Sequence, residues 1–407
     1  MNIKKIYWIL ALGGVLTGTP LHAQTIEAVL RSVEQNNKEL QAGQYAAEAG
    51  KMEVQTQNNL EDPSVEYSPF YADGVTGMAS SELVVKQGFE FPTRYVARRS
   101  SGKLQQEVID RQHRLLRQDV LLRAKNLCLD LIGLNQERLL LEERRKNADE
   151  LLVLFEKRLS EGDASALEVN KIKMERMNVQ TEAAQNAAAH RTALQQLLAM
   201  NGNQPLEFDE TSYPNVPPVA DYNTLYDEVI ASDVALQTAD AQVRAAEKEV
   251  SVNKQNWLPS IEVGYRRNTS MGEKSNGFLI GGSLPLFSNR KKLKIARAQA
   301  SSARMQLDNT RLQVEAQVQG KFNEMTQLHE AMQAYDIRLM HQTLRMLRDA
   351  VEAGQLSIIE FYVEAENVYQ NLQAYNKLEN QYQKLMAEIY KNLSLIHISE
   401  PTRLQLI

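Results

Sequence analysis

Side chains that commonly do chemistry occur in this 407-residue sequence, but their spacing does not form a recognisable reaction centre. His113, His190, His329 and His341 are scattered and lack the spacing of zinc ligands. No serine, histidine and aspartate follow the pattern of a nucleophile elbow, and no glycine-rich loop is suited to phosphates. We therefore predict a protein that is not an enzyme and that uses no metal or other cofactor.

The charged residues are more informative, because they cluster at corresponding places in the two halves of the chain. Glu360 follows Gly354 by six residues, and Glu364 lies one turn further on the same helical face. Glu168 holds the corresponding place in the first half, followed by Lys171. Two basic clusters begin the long helical segments: Arg94, Arg98, Arg99 and Lys103, then Arg290, Lys291, Lys292 and Lys294. Cations at a helix N-terminus oppose the macrodipole, so helix stability does not explain these clusters. For both kinds of charge, a solvated helix face is the alternative.

The start of the chain and its composition bear on the compartment. Residues Met1 to Ala23 resemble a secretory signal, with a positive start, an apolar stretch and a small-residue end. The mature chain would begin near Gln24 and keep Cys128 as its one cysteine, which excludes an internal disulfide framework. The net charge of -5 with 24% charged residues argues against a nucleic-acid partner.

The chain contains most of its organisation twice. Pro63-Ser64-Val65-Glu66 recurs 196 residues later as Pro259-Ser260-Ile261-Glu262. The segment that starts at Gly162 recurs 192 residues later at Gly354. The two offsets differ by four residues, which correspond to about one helical turn. We predict a signal peptide, a first repeat, a connector, a second repeat and a non-native tail, in residues 1–23, 24–200, 201–221, 222–393 and 394–407. The tail abandons the helical pattern and resembles a translated sequencing adapter.

Long helices are predicted where proline is absent, from 93 to 204 and from 286 to 400. In the first stretch apolar residues recur every seven positions, the pattern of a coiled coil: Val120, Leu127, Leu134, Leu141, Ala148 and Phe155. One helix over 93–160 would be about 100 Å long. Gly162 and Gly354 then end each long helix, and return helices follow over about 165–200 and 357–393.

Each repeat also predicts a pair of short strands, because apolar and polar residues alternate there. In the first repeat the alternation surrounds a turn-rich segment, 72–80; in the second it surrounds a polar loop, 267–277. Aromatic residues stand near the strand ends: Tyr67, Tyr71, Phe89, Phe91, Trp257 and Tyr265. Four strands are too few to close a barrel, so either they pack on something else or several chains contribute to one barrel.

The order of these elements resembles the TolC family of outer membrane efflux proteins. The motifs that carry the resemblance are Asn59-Leu60-Glu61-Asp62-Pro63, Trp257-Leu258-Pro259-Ser260, Gly282-Ser283-Leu284-Pro285-Leu286-Phe287 and the tip from Phe155 to Ser165. The resemblance covers roughly 25–393 and implies a mainly helical fold with a small β part. In it, long antiparallel coiled-coil hairpins carry four strands per protomer, and a homotrimer closes a twelve-stranded barrel. It also implies an outer membrane location with a periplasmic helical extension.

The resemblance further implies roles for individual residues. Glu360 has the spacing of a carboxylate that lines the periplasmic aperture, with Glu364 beside it, whereas the family's second acidic position falls on Val363. In a trimer, one glutamate becomes a ring of three carboxylates that attracts cations. The hairpin tips would contact a periplasmic adaptor through Gly162, Asp163, Ser165, Gly354, Gln355 and Ser357. Outer membrane lipid head groups would be contacted by Arg94, Arg98, Arg99, Arg290, Lys291 and Lys292.

These expectations lead to one leading function and two alternatives. The leading one is the passive outer membrane duct of a tripartite efflux system, with a membrane fusion adaptor and an inner-membrane pump of the resistance-nodulation-division (RND) type. Its cargo would be metal cations or drugs. One alternative in the same fold is the duct of a type I protein secretion system. An alternative of a different class is a periplasmic coiled-coil scaffold without a pore.

Overall fold

The computed structural model describes residues 25–216, 221–270, 273–287 and 289–391. The predicted signal peptide and tail, and residues 217–220 of the predicted connector, lie outside this description. The helices and strands in chain order are α1 Ile26–Asn36, α2 Lys38–Thr56, β1 Ser64–Phe70, β2 Ser80–Phe89, α3 Pro92–Glu161, α4 Ala166–Met200, α5 Tyr222–Ser232, α6 Val234–Asn253, β3 Ser260–Ser270, β4 Glu273–Ser283, α7 Lys292–Gln333, α8 Ile337–Glu352 and α9 Ile358–Ile389. Both halves therefore run from two helices through two strands to a helical hairpin, and the second half has one more helix.

Helix α3 is one uninterrupted helix of 70 residues, as the absence of proline predicts. At 1.5 Å per residue it is about 105 Å long. Pro92 stands at its first turn, where a missing N–H costs nothing, and Gly162 ends it with a left-handed φ of 85°. The predicted seven-residue stripe faces the neighbouring helices, with Val120, Leu141 and Ala148 buried.

The second long helix is broken, which corrects the expectation of an uninterrupted helix there. Helix α7 ends at Gln333 and α8 begins at Ile337. Asp336 caps the new helix, because its carboxylate accepts a hydrogen bond of 2.9 Å from the backbone N–H of Leu339. Aspartate competes with helical hydrogen bonding in this way, and proline counting does not detect it.

The four strands form one antiparallel sheet in the order β1-β2-β3-β4. The pairing of β2 with β3, from Ser80↔Ser270 to Phe89↔Ile261, joins the two repeats. The prediction of a polar loop over 267–277 is wrong, because β3 continues to Ser270 and β4 already starts at Glu273. Strand pairing uses backbone hydrogen bonds, so polar side chains do not prevent it when the opposite strand offers backbone partners. Here the pairing of β3 with β4 continues through Arg267↔Asn276.

The hydrophobic core is spread along the helices in three clusters. One joins α1, α3 and α4, where Leu129, Leu131 and Ile132 are fully buried. A second lies near the hairpin tips, and a third joins α5, α7 and α9. Each fully buried side chain of this size contributes roughly 1.5–3 kcal/mol.

Across the described ranges, no helix is both long enough and apolar enough to span a membrane.

Candidate functional site

The sheet has one apolar face, which the rest of the protomer does not cover. Residues paired across an antiparallel sheet project to the same side, and alternate residues along a strand project to opposite sides. This places nine apolar side chains on one face, called the apolar face: Val65, Tyr67, Leu83, Val85, Ile261, Val263, Tyr265, Phe278 and Ile280. Phe89, Gln87 and Arg267 lie on the same face. Phe278 is 92% exposed and Ile280 83% exposed. A face of this kind needs an apolar partner, since monomeric soluble proteins rarely expose such a large patch.

The opposite face of the sheet is polar and carries charges of both signs. It contains Glu66, Glu82, Lys86, Glu262 and Arg266. Arg266 pairs with Glu82 at 2.8 Å and Lys86 with Glu262 at 3.7 Å. Both ion pairs cross from β2 to β3, so they link the two repeats. One apolar and one charged face is the pattern of a strand that separates lipid from water.

Both outer strands of the sheet have one free edge. In the part of the chain that the structure describes, β1 pairs only with β2, and β4 pairs only with β3. The backbone groups on the other side of each strand are therefore open to another chain.

The two hairpin tips share one design. Gly162 and Gly354 have φ values of 85° and 73°, the left-handed region that glycine adopts without strain. Behind each glycine, a capping box starts the return helix: Ser165 with Glu168, and Ser357 with Glu360. The same sequence signals therefore produce the same turn twice.

Glu360, the predicted aperture carboxylate, has a local role in its capping box. It accepts hydrogen bonds from the Ser357 hydroxyl at 2.8 Å and from the Ser357 backbone N–H at 3.2 Å. These bonds from Ser357 lower the pKa of the Glu360 carboxyl. Glu364 is exposed on the same side of α9, as is Val363 between them. The two glutamates are thus placed on one open helical face.

The tips of the two repeats lie side by side and are joined by Arg158. Its guanidinium donates to the backbone carbonyls of Val351 at 3.3 Å and Glu352 at 2.7 Å, at the C-terminal end of α8. A cation there satisfies free carbonyls and favours the helix dipole. Arg348 also links the repeats, because it donates to Asn147 at 2.8 Å and pairs with Glu150.

The structure reveals a buried charge cluster that the sequence analysis missed. Arg144 of α3 is 3% exposed and contacts Glu175 at 2.8 Å, Glu182 at 2.9 Å and Glu366 at 3.2 Å. Burial acts to lower the pKa of Arg144, but these carboxylates raise it overall, so the side chain stays charged. The sequence did contain a signal for this buried arginine. Arg144 lies between Leu141 and Ala148, on the buried side of the seven-residue stripe.

The basic residues differ between the repeats. Arg94 and Arg98 both turn toward Glu90, at 3.4 Å and 2.7 Å, and Arg94 also donates to Asn256. The other basic residues are exposed, and none forms an ion pair with a described residue: Arg99, Lys103, Arg290, Lys291, Lys292 and Lys294. Tyr67, Tyr71, Trp257 and Tyr265 are exposed near the strand ends, whereas Phe89 and Phe91 are half-buried.

Comparisons with known proteins agree with this geometry. The sequence model described as "Outer membrane efflux protein" matches residues 225–394. The fold is similar to the outer-membrane channel OprN, with a TM-score of 0.72, 15% identity, and coverage of 90% of this chain and 89% of that one. It is also similar to the Campylobacter jejuni CmeC outer membrane channel, with a TM-score of 0.70, 12% identity, and coverage of 99% and 98%. A membrane protein from Pseudomonas aeruginosa gives a TM-score of 0.68, 16% identity, and coverage of 90% and 93%. A search of curated proteins gave no match.

The resemblance to the TolC family of outer membrane efflux proteins is therefore confirmed, by the family match in the second repeat and by the fold of nearly the whole chain. The description of the matched model agrees with the predicted outer membrane location. The matched model is described as an efflux protein, and OprN and CmeC are described as outer membrane channels.

Proposed function

From the fold of TolC-family outer membrane efflux proteins, we propose that this chain is the passive exit duct of a tripartite efflux system. Three protomers would give four strands each to one twelve-stranded barrel in the outer membrane. Their helices would continue as a hollow cylinder into the periplasm. A passive duct does not drive transport itself, so the driving force would come from an inner-membrane pump.

The observation that carries this proposal is the four-stranded sheet with two free edges and one apolar face. Joining β4 of one protomer to β1 of the next would pair both free edges and close the sheet. Closure would turn the apolar face, with Val65, Val263 and Ile280, toward lipid. It would turn the charged face, with the Arg266–Glu82 pair, toward a water-filled lumen.

The helices support a duct that reaches far from the membrane. A helix of about 105 Å is far longer than a compact domain needs. The tips at its far end expose backbone turns around Gly162 and Gly354. We assign the contact with the membrane fusion adaptor to these tips, through Gly162, Asp163, Ser165, Gly354, Gln355 and Ser357.

The aperture of the closed duct is assigned to Glu360 and Glu364. Both lie on the open face of α9, close to the second tip. Three copies would give two rings of three carboxylates, which attract cations and repel one another. An RND pump moving metal cations or drugs fits such a duct, and a type I protein secretion system is the alternative in the same fold.

The test is extraction and conductance of the full chain. We expect a detergent-dependent trimer that stays folded in SDS when unheated and that gives step conductances in planar bilayers. A soluble monomer or dimer without conductance would instead support the periplasmic scaffold. Crosslinking from cysteines placed at Asp163 and Gln355 would then identify the pump and adaptor that copurify, and so separate efflux from protein secretion.

A further inference from the structure

The second repeat carries an exposed segment between the sheet and the helices that combines apolar and basic side chains. We name it the collar and define it by Leu284, Leu286, Phe287, Arg290, Lys291, Lys292 and Lys294. Leu286 is 75% exposed and Phe287 84% exposed. The collar directly follows β4, whose Phe278 and Ile280 are also exposed.

The corresponding segment of the first repeat is built differently. At the offset of 196 residues, Glu90 corresponds to Leu286, Arg94 to Arg290 and Arg98 to Lys294. In the first repeat Glu90 binds both arginines, at 3.4 Å and 2.7 Å. In the second repeat a leucine replaces that carboxylate, and within the described residues Arg290 and Lys294 have no acidic partner.

We infer that the collar is a binding site for anionic phospholipid. The first repeat keeps the exposed cations Arg99 and Lys103 but has no equivalent site, because Gly88 and Glu90 stand where the collar has Leu284 and Leu286. This inference rests on the proposed outer membrane location. Exposed apolar side chains next to unpaired cations match the boundary between acyl chains and phosphate groups. The apolar side chains Leu284, Leu286 and Phe287 would enter the leaflet, and the cations below them would bind phosphates. A trimer would then hold three such sites, not six.

The experiment uses the purified full chain in neutral detergent at low salt. Native mass spectrometry gives the dissociation constants for phosphatidylglycerol and for phosphatidylcholine with the same acyl chains. We expect the wild type to prefer phosphatidylglycerol. The triple variant Arg290→Gln, Lys292→Gln, Lys294→Gln should weaken phosphatidylglycerol binding by up to about 100-fold, since each cation near a lipid surface contributes strongly. Lys291 is left unchanged because its φ is 74°.

A control and two exchanges between repeats sharpen this test. The control Arg191→Gln, Arg311→Gln, Arg345→Gln removes three exposed cations from the helices and should leave lipid binding unchanged. Leu286→Glu copies the first repeat and should abolish the preference while it keeps every cation. Conversely, Glu90→Leu should free Arg94 and Arg98 and increase the number of bound phosphatidylglycerol molecules.

Two outcomes would overturn the inference. One is equal affinity of the wild type for both lipids. The other is a loss of phosphatidylglycerol affinity in the control variant as large as that in the collar variant. A salt titration needs no variant, because about 0.5 M salt should remove a preference that depends on charge. The oligomeric state is read from the same spectra. A trimer with no lipid preference contradicts the collar alone, whereas a monomer that prefers phosphatidylglycerol contradicts the duct alone.

Discussion

Arg144 and Glu366 form an ion pair of 3.2 Å although 222 residues separate them in the chain. Since Glu175 and Glu182 bind the same guanidinium, one side chain of α3 holds both return helices, α4 and α9. The two repeats are therefore fastened to each other above the tips by charge as well as by apolar packing.

Replacing Arg144 with leucine should destabilise the protein. It leaves Glu175, whose side chain is 13% exposed, without a cation. A cost of about 2 kcal/mol is expected, below that of a fully buried pair because Glu182 and Glu366 are partly in water. The control Arg138→Leu breaks an exposed pair with Glu142 and should cost at most about 1 kcal/mol. Thermal midpoints from circular dichroism compare the two variants. Equal midpoints of the two variants would show that the Arg144 cluster adds no more to stability than an exposed ion pair.

Glu360→Gln separates helix capping from a role in the aperture. Glutamine can keep the capping box with Ser357, so the fold should survive while the charge is lost. If Glu360 lines the aperture, block of the conductance by multivalent cations should weaken by about tenfold. Glu168→Gln is the matched control, because Glu168 occupies the same capping box at the first tip. Unchanged block in the Glu360 variant would reject the aperture role.

Arg158→Gln should loosen the contact between the two tips. It removes charge-assisted hydrogen bonds to the carbonyls of Val351 and Glu352, a loss of roughly 1 kcal/mol at this half-buried position. Amide hydrogen exchange near the end of α8 should accelerate by about fivefold. The control is Arg345→Gln, which changes an exposed residue of α8 itself. Protection that is identical in the two variants would mean that Arg158 does not hold the tips together.

The glycines should respond to alanine in opposite directions. Gly162→Ala and Gly354→Ala place a side chain at left-handed backbone and should each cost about 1 kcal/mol. Gly320 lies inside α7 with open space where a Cβ would stand. Gly320→Ala should therefore stabilise the helix by about 0.5–1 kcal/mol. Thermal midpoints that fall in all three variants would contradict this conformational argument.

Acid should weaken the contact between α3 and α6 through Glu107. Hydrogen bonds from Arg111 and Arg244 lower the pKa of this carboxyl below its usual 4.5. A lowered pKa means that the interaction stabilises the folded state above the unfolded value and is lost as the pH falls through the folded one. Glu107→Gln should thus lower the thermal midpoint at pH near 7, and the difference from wild type should shrink below pH of about 4. A difference that is independent of pH would exclude Glu107 as its source.

The sequence predicts those parts of the fold that depend on local signals. The long helix α3 follows from helix formers and a seven-residue stripe, and the turns at Gly162 and Gly354 follow from glycine. The break at Asp336 was missed because one capping residue competes weakly with a long helical pattern. The pairing of β2 with β3 depends on residues far apart in the chain, which periodicity does not report.

In the candidate site, too, the sequence predicts what depends on local spacing and misses what depends on side-chain contacts. The positions of Glu360 and Glu364 on one helical face follow from their spacing alone. That Arg94 and Arg98 both pair with Glu90 depends on side-chain directions, which the spacing of basic residues does not reveal. The distinction between the two basic clusters therefore required the structure.

The pairing of β2 with β3 also constrains how the chain can assemble. Phe89 meets Ile261, so β2 has no partner for its second edge until some 170 further residues have been synthesised and exported. Contacts between such distant residues form slowly, because a long loop must close first. During that interval the first hairpin exposes strand edges that could pair with other chains. The half-built sheet is thus the stage of assembly at which the chain is most exposed to aggregation.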